Sequence, residues 1–196
     1  MIAEKVEKIS YINVSPINSP REIPNLEGYK KANSLNGIKI ITQTDIDGTL
    51  QYASTLQRAR APLLVHKSYD ETPQRFINCL HPGSYVRPHM HVASNQWELK
   101  CWLSGDLIAL LFDNEGRVKN KIIMNENNVR IVEIPPFCYH SIMAVEKGAY
   151  LEIRNGRFQP ATDKIYSSWS PEENSALAEQ YYKRYLTAEV GDLLTV

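Results

Sequence analysis

Two histidines at strand spacing, His89 and His91, are the residues of this sequence best suited to chemistry. Side chains two positions apart on a β-strand point to the same face, with Cα atoms roughly 6.5 Å apart, so both imidazoles could bind one metal ion. Glu98 and His140 could complete the site from neighbouring strands. The sequence therefore predicts a metal ion held by three imidazoles and one carboxylate. An internal polar cluster without metal is the alternative.

This ligand set suits a divalent ion of the Fe, Mn, Ni, Co, Cu or Zn group. Four protein ligands leave up to two positions of a six-coordinate ion for a substrate. There the metal could polarise a carbonyl or an enolate or, if it is iron, bind dioxygen. An isomerase or epimerase, a lyase and a dioxygenase are all compatible with these residues.

Short strands separated by turn signals must position the four residues. Residues 97–112 read as two strands broken at Ser104-Gly105-Asp106, and residues 129–145 read as a strand, a Pro-Pro turn and a second strand that opens near His140. The same alternation of apolar runs and turns extends over residues 74–157. It predicts a small all-β sandwich or barrel.

Both flanks of the barrel carry helix signals. Thr42 or Thr44 could cap a helix from about residue 45 to 60 whose apolar face covers a barrel flank. Ser170-Pro-Glu-Glu173 has the form of a capping box and predicts a helix through Leu186. The Asn-, Ser- and Pro-rich segment 13–37 reads as an irregular or extended arm. We therefore expect an N-terminal arm, a barrel with its preceding helix, and a C-terminal helix and tail packed on the same domain, over residues 1–40, 41–170 and 171–196.

Composition narrows the class of protein. A chain of 196 residues with 43% hydrophobic and 22% charged residues predicts one globular domain. Its 22 basic residues balance its 22 acidic ones, so neither nucleic acid nor an anionic membrane is an expected partner. The first residues lack the apolar stretch of a signal peptide, which predicts a cytoplasmic location. Three cysteines without a CxxC pair argue against a disulfide framework and against a zinc-thiolate site.

The histidine segment resembles the first motif of the cupin superfamily, with Gly83, five residues, His89-x-His91, Glu98, six residues and Gly105. Pro135-x-Phe-x-x-His140 resembles the second motif. The resemblance implies an all-β double-stranded β-helix, or jelly-roll barrel, with flanking helices. Departures from the pattern are a longer gap before the glutamate, Phe137 where the second motif generally has Gly, and Ala144 where it often has Asn.

A closer resemblance is to the WbuC family of cupin-fold metalloproteins, which is associated with bacterial surface-polysaccharide gene clusters. It spans about residues 41–187 and implies a sugar or sugar nucleotide as the ligand, while the family's reaction is not established. Lys100 stands where the family tends to have an apolar aromatic residue. The similar segments are Arg58-Ala-Arg60-Ala-Pro, His66, Thr72-Pro-Gln-Arg75-Phe-Ile-Asn, Pro82-Gly-Ser-Tyr-Val-Arg-Pro-His89-x-His91, Trp97-Glu98-Leu, Leu110-Leu-Phe-Asp113-x-Glu-Gly-Arg117-Val, Val132-Glu-Ile-Pro-Pro-x-x-x-His140 and Asp163 through Trp169-Ser-Pro-Glu-Glu.

Strand alternation also predicts which residues surround the metal. Tyr85 and Arg87 should face the same way as the histidine pair, and Lys100 and Trp102 should follow Glu98. Tyr85, Arg87 and Lys100 are therefore the candidate catalytic residues. Lys100 could be a general base with a lowered pKa or an anion clamp, although a salt bridge to a carboxylate is the simpler alternative. Arg87 could bind a ligand carboxylate or phosphate, or brace an acidic residue.

Four further residues have weaker claims to a role. Cys138 lies two residues before the last histidine and could be a nucleophile or extra ligand, if the Pro-Pro turn preserves strand alternation. His66 reads as a structural or lid residue and His81 as a turn residue. Arg75 could contact a phosphate or sugar, or brace the core.

These residues favour a metal-dependent enzyme that acts on a small oxygen-rich molecule. A metal-bearing binding or sensing module without turnover is the main alternative, and a structural cupin that has lost its metal is a third. Exposed edge strands of an isolated barrel benefit from pairing, so we expect a homodimer.

Overall fold

The computed structural model describes residues 30–159 and 163–196, so most of the predicted arm lies outside the described residues. Thirteen strands and two helices are present in the described part of the chain. The strands are β1 Lys30–Lys31, β2 Asn33–Leu35, β3 Ile38–Ile40, β4 Arg60–Leu64, β5 Gln74–Leu80, β6 His89–Met90, β7 Glu98–Ser104, β8 Leu107–Phe112, β9 Val118–Met124, β10 Ile131–Ile134, β11 Tyr139–Ala144, β12 Gly148–Arg154 and β13 Ile165–Tyr166. The helices are α1 Gln43–Ala53 and α2 Ala178–Thr187.

Two sheets face each other and form the barrel. One has the strand order β1-β4-β5-β12-β7-β10 and the other β13-β6-β11-β8-β9, while β2 and β3 form a separate hairpin. All pairs within the two large sheets are antiparallel except β1 with β4. From β5 to β13, strands consecutive in sequence alternate between the sheets, except that β8 and β9 pair within one sheet, as in a jelly roll. The predicted fold class, an all-β jelly-roll barrel with flanking helices, is confirmed.

Strand alternation divides the apolar residues between the barrel interior and the two helix-covered outer faces. On β8, Leu107 and Ala109 belong to the interior cluster, whereas Ile108 and Leu110 belong to the cluster beneath α2. A strand that is buried on both faces reads as the continuous apolar run seen here. No helix in the described part of the chain has the length and apolar character needed to cross a membrane.

Helix α1 begins as predicted and ends early. Thr42 accepts the backbone N–H of Asp45 through its hydroxyl, and Asp45 accepts the Thr42 N–H, which completes a capping box. The helix packs on β4 and β5. It ends at Ala53 rather than near residue 60, because the Ser54 and Thr55 hydroxyls donate to carbonyls of the last turn.

The predicted start of the C-terminal helix was wrong. Residues 170–177 form turns, and α2 begins only at Ala178. The Glu173 carboxylate does not cap a helix, because Arg60 and Arg58 bind it at 2.6 and 3.1 Å. Ser170 instead shares a hydrogen bond with the Ser167 hydroxyl. A local hydrogen bond therefore takes Ser170, and distant arginines take Glu173, the two residues of the apparent capping box.

Phe137 adopts the backbone conformation that a glycine would supply. Its φ is +62°, in the left-handed region that side chains disfavour, and its N–H donates to the His91 carbonyl at 2.8 Å. The turn before His140 is therefore kept despite the departure from the cupin pattern. That hydrogen bond ties the turn to the histidine segment.

We expect Glu173→Gln to lower the free energy of unfolding by about 1.5–3 kcal/mol near neutral pH, because a charged partner of two arginines is lost. Burial raises the pKa of Glu173, but the charges of Arg60 and Arg58 outweigh it, so the pKa lies below its ordinary value. A lowered folded-state pKa stabilises the protein above the unfolded value, and this contribution disappears as the pH falls through the folded one. The difference in the free energy of unfolding between the variant and the wild type should therefore disappear at acid pH.

Chemical denaturation of both proteins across the acid range measures this deficit. Glu172→Gln is the matched control, because the Glu172 side chain is 82% exposed, and it should change stability by less than about 0.5 kcal/mol. A deficit that is the same at all pH values would contradict the proposed ion pairing.

We expect Phe137→Gly to be more stable than Phe137→Ala by about 0.5–1 kcal/mol, because only alanine retains the penalty of a left-handed conformation. Both variants lose the same phenyl ring, so its contacts cancel in the comparison. Thermal or urea unfolding of the pair provides the measurement. Equal stabilities would show that the turn is not strained.

Candidate metal centre

The four predicted ligands come together between the two sheets. His89 lies on β6 directly opposite His140 on β11, and His91 follows the end of β6. Glu98 opens β7 on the facing sheet. One potential ligand atom from each residue lies within 4.8 Å of the others, and all four side chains are buried. The four residues that the sequence predicted as ligands therefore lie together in the structure.

Backbone carbonyls fix the orientation of all three imidazole rings. The Nδ1 atoms of His89, His91 and His140 lie 2.9, 2.6 and 3.0 Å from the carbonyl oxygens of Arg87, Asp163 and Cys138. A carbonyl only accepts, so each Nδ1 carries a proton and Nε2 is the nitrogen left to bind a metal ion. Histidines that bind metals are held in this way.

The Nε2 lone pairs meet another acceptor in the middle of the cluster. His91 Nε2 lies 2.7 Å from one Glu98 oxygen and His140 Nε2 lies 2.9 Å from the other. Despite these distances, neither nitrogen has a hydrogen-bond partner among the described residues. Burial raises the pKa of Glu98, but the charge of Lys100 is the largest of the effects that hold it well below the usual range. A cation bound between the Nε2 atoms and this carboxylate would satisfy all of them, and the residues fit a metal ion.

Lys100 is buried beside the cluster, as strand alternation predicted. Its ammonium donates to Glu98 at 2.7 Å and to Glu152 at 3.0 Å. Burial lowers the pKa of Lys100, but the charges of Glu152 and Glu98 outweigh it and raise the pKa above its ordinary value. The structure therefore shows the salt bridge, and the raised pKa disfavours the alternative of a general base.

Tyr85 and Arg87 do not face the cluster. The Tyr85 hydroxyl donates to the Pro171 carbonyl at 3.1 Å, and its ring packs 5.8 Å from that of Tyr185. Arg87 donates to the Ser167 carbonyl at 2.9 Å. Their predicted orientation was wrong because residues 81–88 form no strand, so alternation does not apply there.

The remaining candidates lie outside the ligand set. Trp102 donates to the Gly105 carbonyl at 2.7 Å and packs against the interior cluster. Burial raises the pKa of the Cys138 thiol, which disfavours a nucleophile. His66 lies in the cavity wall, with Nδ1 2.8 Å from the Arg75 carbonyl oxygen, while Arg75 itself pairs with Glu71. His81 donates from Nε2 to the Leu50 carbonyl, 2.9 Å away.

A cavity of about 560 Å³ opens next to the cluster. His89, Glu98 and His140 are part of its wall, and Lys100 and Glu152 line it beside them. This volume is in the range of small-molecule sites. Aromatic side chains form much of the remaining wall, namely Tyr52, Tyr69, Phe76, Tyr150 and Phe158.

Sequence reasoning missed a second group of buried charges. Glu152 and Arg154 project from β12 into the cavity, and Arg154 binds the Asp163 carboxylate at 2.5 Å. The sequence contained a signal for this group, since two charged residues occupy alternate positions of the otherwise apolar strand. Asp163 in turn accepts the His91 Nδ1 proton through its backbone carbonyl. The ion pair of Arg154 and Asp163 therefore helps to orient His91, one of the candidate ligands.

Comparisons with known proteins give a partial family match and distant structural likenesses. A family model described as a domain of unknown function, DUF6016, matches residues 41–124. No curated protein sequence matches the chain.

Among solved structures, the capsular polysaccharide assembling protein CapF of Staphylococcus aureus is 17% identical over 54% of this chain and 31% of its own, with a TM-score of 0.43. The 3'-monoepimerase ChmJ of Streptomyces bikiniensis is 13% identical over 48% of this chain and 50% of its own, with a TM-score of 0.43. An oxalate decarboxylase of B. subtilis is 19% identical over 47% of this chain and 23% of its own, with a TM-score of 0.38. The chain spans half or less of the length of each of these proteins.

We expect Asp163→Asn to weaken metal binding by about tenfold, because the neutral amide holds Arg154 less firmly and frees the carbonyl that orients His91. Competition of the protein with a chromogenic chelator for Zn²⁺ measures the affinity. Asp47→Asn, on the exposed face of α1, is the control and should leave the affinity unchanged. Equal affinities of all three proteins would show that Arg154 and Asp163 do not position His91.

Proposed function

We propose that this chain is a cupin-type metalloenzyme that binds a divalent transition metal through His89, His91, Glu98 and His140. The observation that carries the proposal is the convergence of the His91 and His140 Nε2 atoms on the Glu98 carboxylate, 2.7 and 2.9 Å away, in a buried cluster. Three nitrogen ligands and one oxygen ligand favour Fe, Mn, Ni, Co, Cu or Zn over Mg or Ca. The cavity beside the cluster supplies the space for a substrate.

Bound there, the metal would act as a Lewis acid on a substrate oxygen or, if iron, as a site for dioxygen. The protein's own residues hold the charges around that oxygen. An ammonium has three donors, and Lys100 uses two of them on Glu98 and Glu152, so its third is available to a ligand in the cavity. We therefore propose Lys100 as the residue that stabilises negative charge developing on the substrate.

We further propose that the substrate is a small oxygen-rich molecule such as a sugar or a sugar nucleotide. The resemblance of residues 41–187 to the WbuC family supports this class and a role in surface-polysaccharide metabolism. The cavity volume of about 560 Å³ is large enough for a sugar. The outer edge of β10, which pairs with no further strand among the described residues, supports the proposal of a homodimer.

Metal loading tests the ligand assignment. We expect His91→Ala and His140→Ala, purified without added metal, to fall below about a tenth of the wild-type metal content, because each removes a buried ligand. Mass spectrometry of the digested protein measures metal per chain. His66→Ala is a matched control, since His66 lies in the same cavity but outside the cluster, and it should stay loaded. A metal-free wild type, or loaded ligand variants, would contradict the assignment.

Turnover separates an enzyme from a binding module. We expect the metal-loaded protein to convert at least one member of a panel of sugar nucleotides, aldoses and small hydroxy acids, and Lys100→Met to reduce that turnover by about a hundredfold or more while keeping its metal. Chromatography detects product, and a thermal shift detects binding. Binding without product across the panel would favour the non-catalytic module.

A further inference from the structure

The cavity carries more cationic than anionic side chains. Four carboxylates lie in its wall or pair with the cations there, namely Glu98, Glu152, Asp163 and Glu173. Five cations line it, namely Arg58, Arg60, Lys100, Arg154 and Lys164. Without a ligand the cavity therefore has one positive charge in excess, and a bound dication raises the excess further. Uncompensated charge in a partly buried site is costly, so a ligand that brings negative charge is favoured.

Most of these cations already have acidic partners. Lys100 lies between Glu98 and Glu152, and Arg154 binds Asp163. Arg58 and Arg60 share one carboxylate, that of Glu173. These pairs fix the positions of the cations and reduce their attraction for a ligand.

Lys164 is different. Its ammonium lies 5.3 Å from the centroid of the Tyr166 ring, and no described carboxylate lies within ion-pair distance of it. The Tyr166 ring in turn packs 6.1 Å from that of His89, so the ammonium lies on the histidine side of the cavity. The residue follows Asp163, which the Arg154 ion pair holds in place. Its backbone is thus anchored while its charge remains available.

The rest of the wall suits an organic molecule rather than an inorganic ion. Aromatic rings face the cavity from α1, β5 and β12, among them Tyr52, Phe76 and Tyr150. A volume of about 560 Å³ leaves space beyond the metal for a carbon skeleton. An anionic group at one end of a larger molecule fits both parts of the cavity.

We infer that the cavity takes an organic anion whose carboxylate or phosphate group lies between the metal centre and the Lys164 ammonium. The inference rests on the proposed function, because the same metal centre binds the anion. Lys164 is then a specificity-determining residue that selects charged over neutral ligands. Sugar acids and sugar phosphates satisfy this chemistry, whereas neutral sugars do not.

Calorimetric titration of the metal-loaded protein with malonate, inorganic phosphate and neutral malonamide tests the inference. We expect at least one anion to bind about tenfold or more tightly than malonamide. Lys164→Met should lower the affinity for that anion by about tenfold, because a charge-assisted hydrogen bond is lost. The preferred anion distinguishes a carboxylate from a phosphate. Lys164→Arg should retain most of the affinity, because it keeps the charge.

Lys147→Met is the matched control, since Lys147 is exposed in the turn that follows β11, at the opposite end of that strand from His140. It should bind each probe as the wild type does. Equal binding of malonate, phosphate and malonamide would overturn the inference, as would an anion affinity unchanged by Lys164→Met. Metal content measured in the same samples separates this failure from failure of the proposed function, in which the wild type holds no metal.

Discussion

The contact of the Glu98 carboxylate with the imidazoles of His91 and His140 is the constraint on which the rest of the structure depends. Glu98 belongs to one sheet, and His89 and His140 belong to the other. Buried acceptors that converge without a cation repel one another, so this cluster is suited to a metal ion. Metal held there would join the two sheets, and its binding free energy would add to that of folding.

Buried ion pairs extend outward from this centre and decide the geometry of the cavity. Lys100 neutralises part of the charge of Glu98 and holds Glu152, which also accepts from the Asn78 amide at 3.0 Å. On the other side Arg154 and Asp163 hold the carbonyl that binds His91. Each group is charged because its neighbour is charged, so these residues act as one network rather than as separate pairs.

Sequence reasoning succeeded where local rules apply and failed where tertiary contacts override them. His89 and His140 lie on strands, and alternation located them, while His91 follows the same strand end closely enough to obey the rule. Tyr85 lies in an irregular segment, so the alternation of side chains along a strand does not predict which way it points. Glu173 looked like a helix cap, but two arginines that are distant in sequence take its carboxylate. A short motif cannot show which distant partners compete for it.

Strand β8 is buried on both faces, and this restricts the substitutions that the strand can accept. Ala109 packs in the barrel interior, whereas its neighbour Ile108 packs beneath α2. Adjacent residues of this strand are therefore subject to two separate volume constraints, one set by the interior cluster behind the cavity-wall residues Ile142 and Tyr150 and one by the tyrosines of the last helix. A larger side chain at Ala109 would have to be accommodated inside the barrel, whereas a larger one at Ile108 would have to be accommodated beneath the helix.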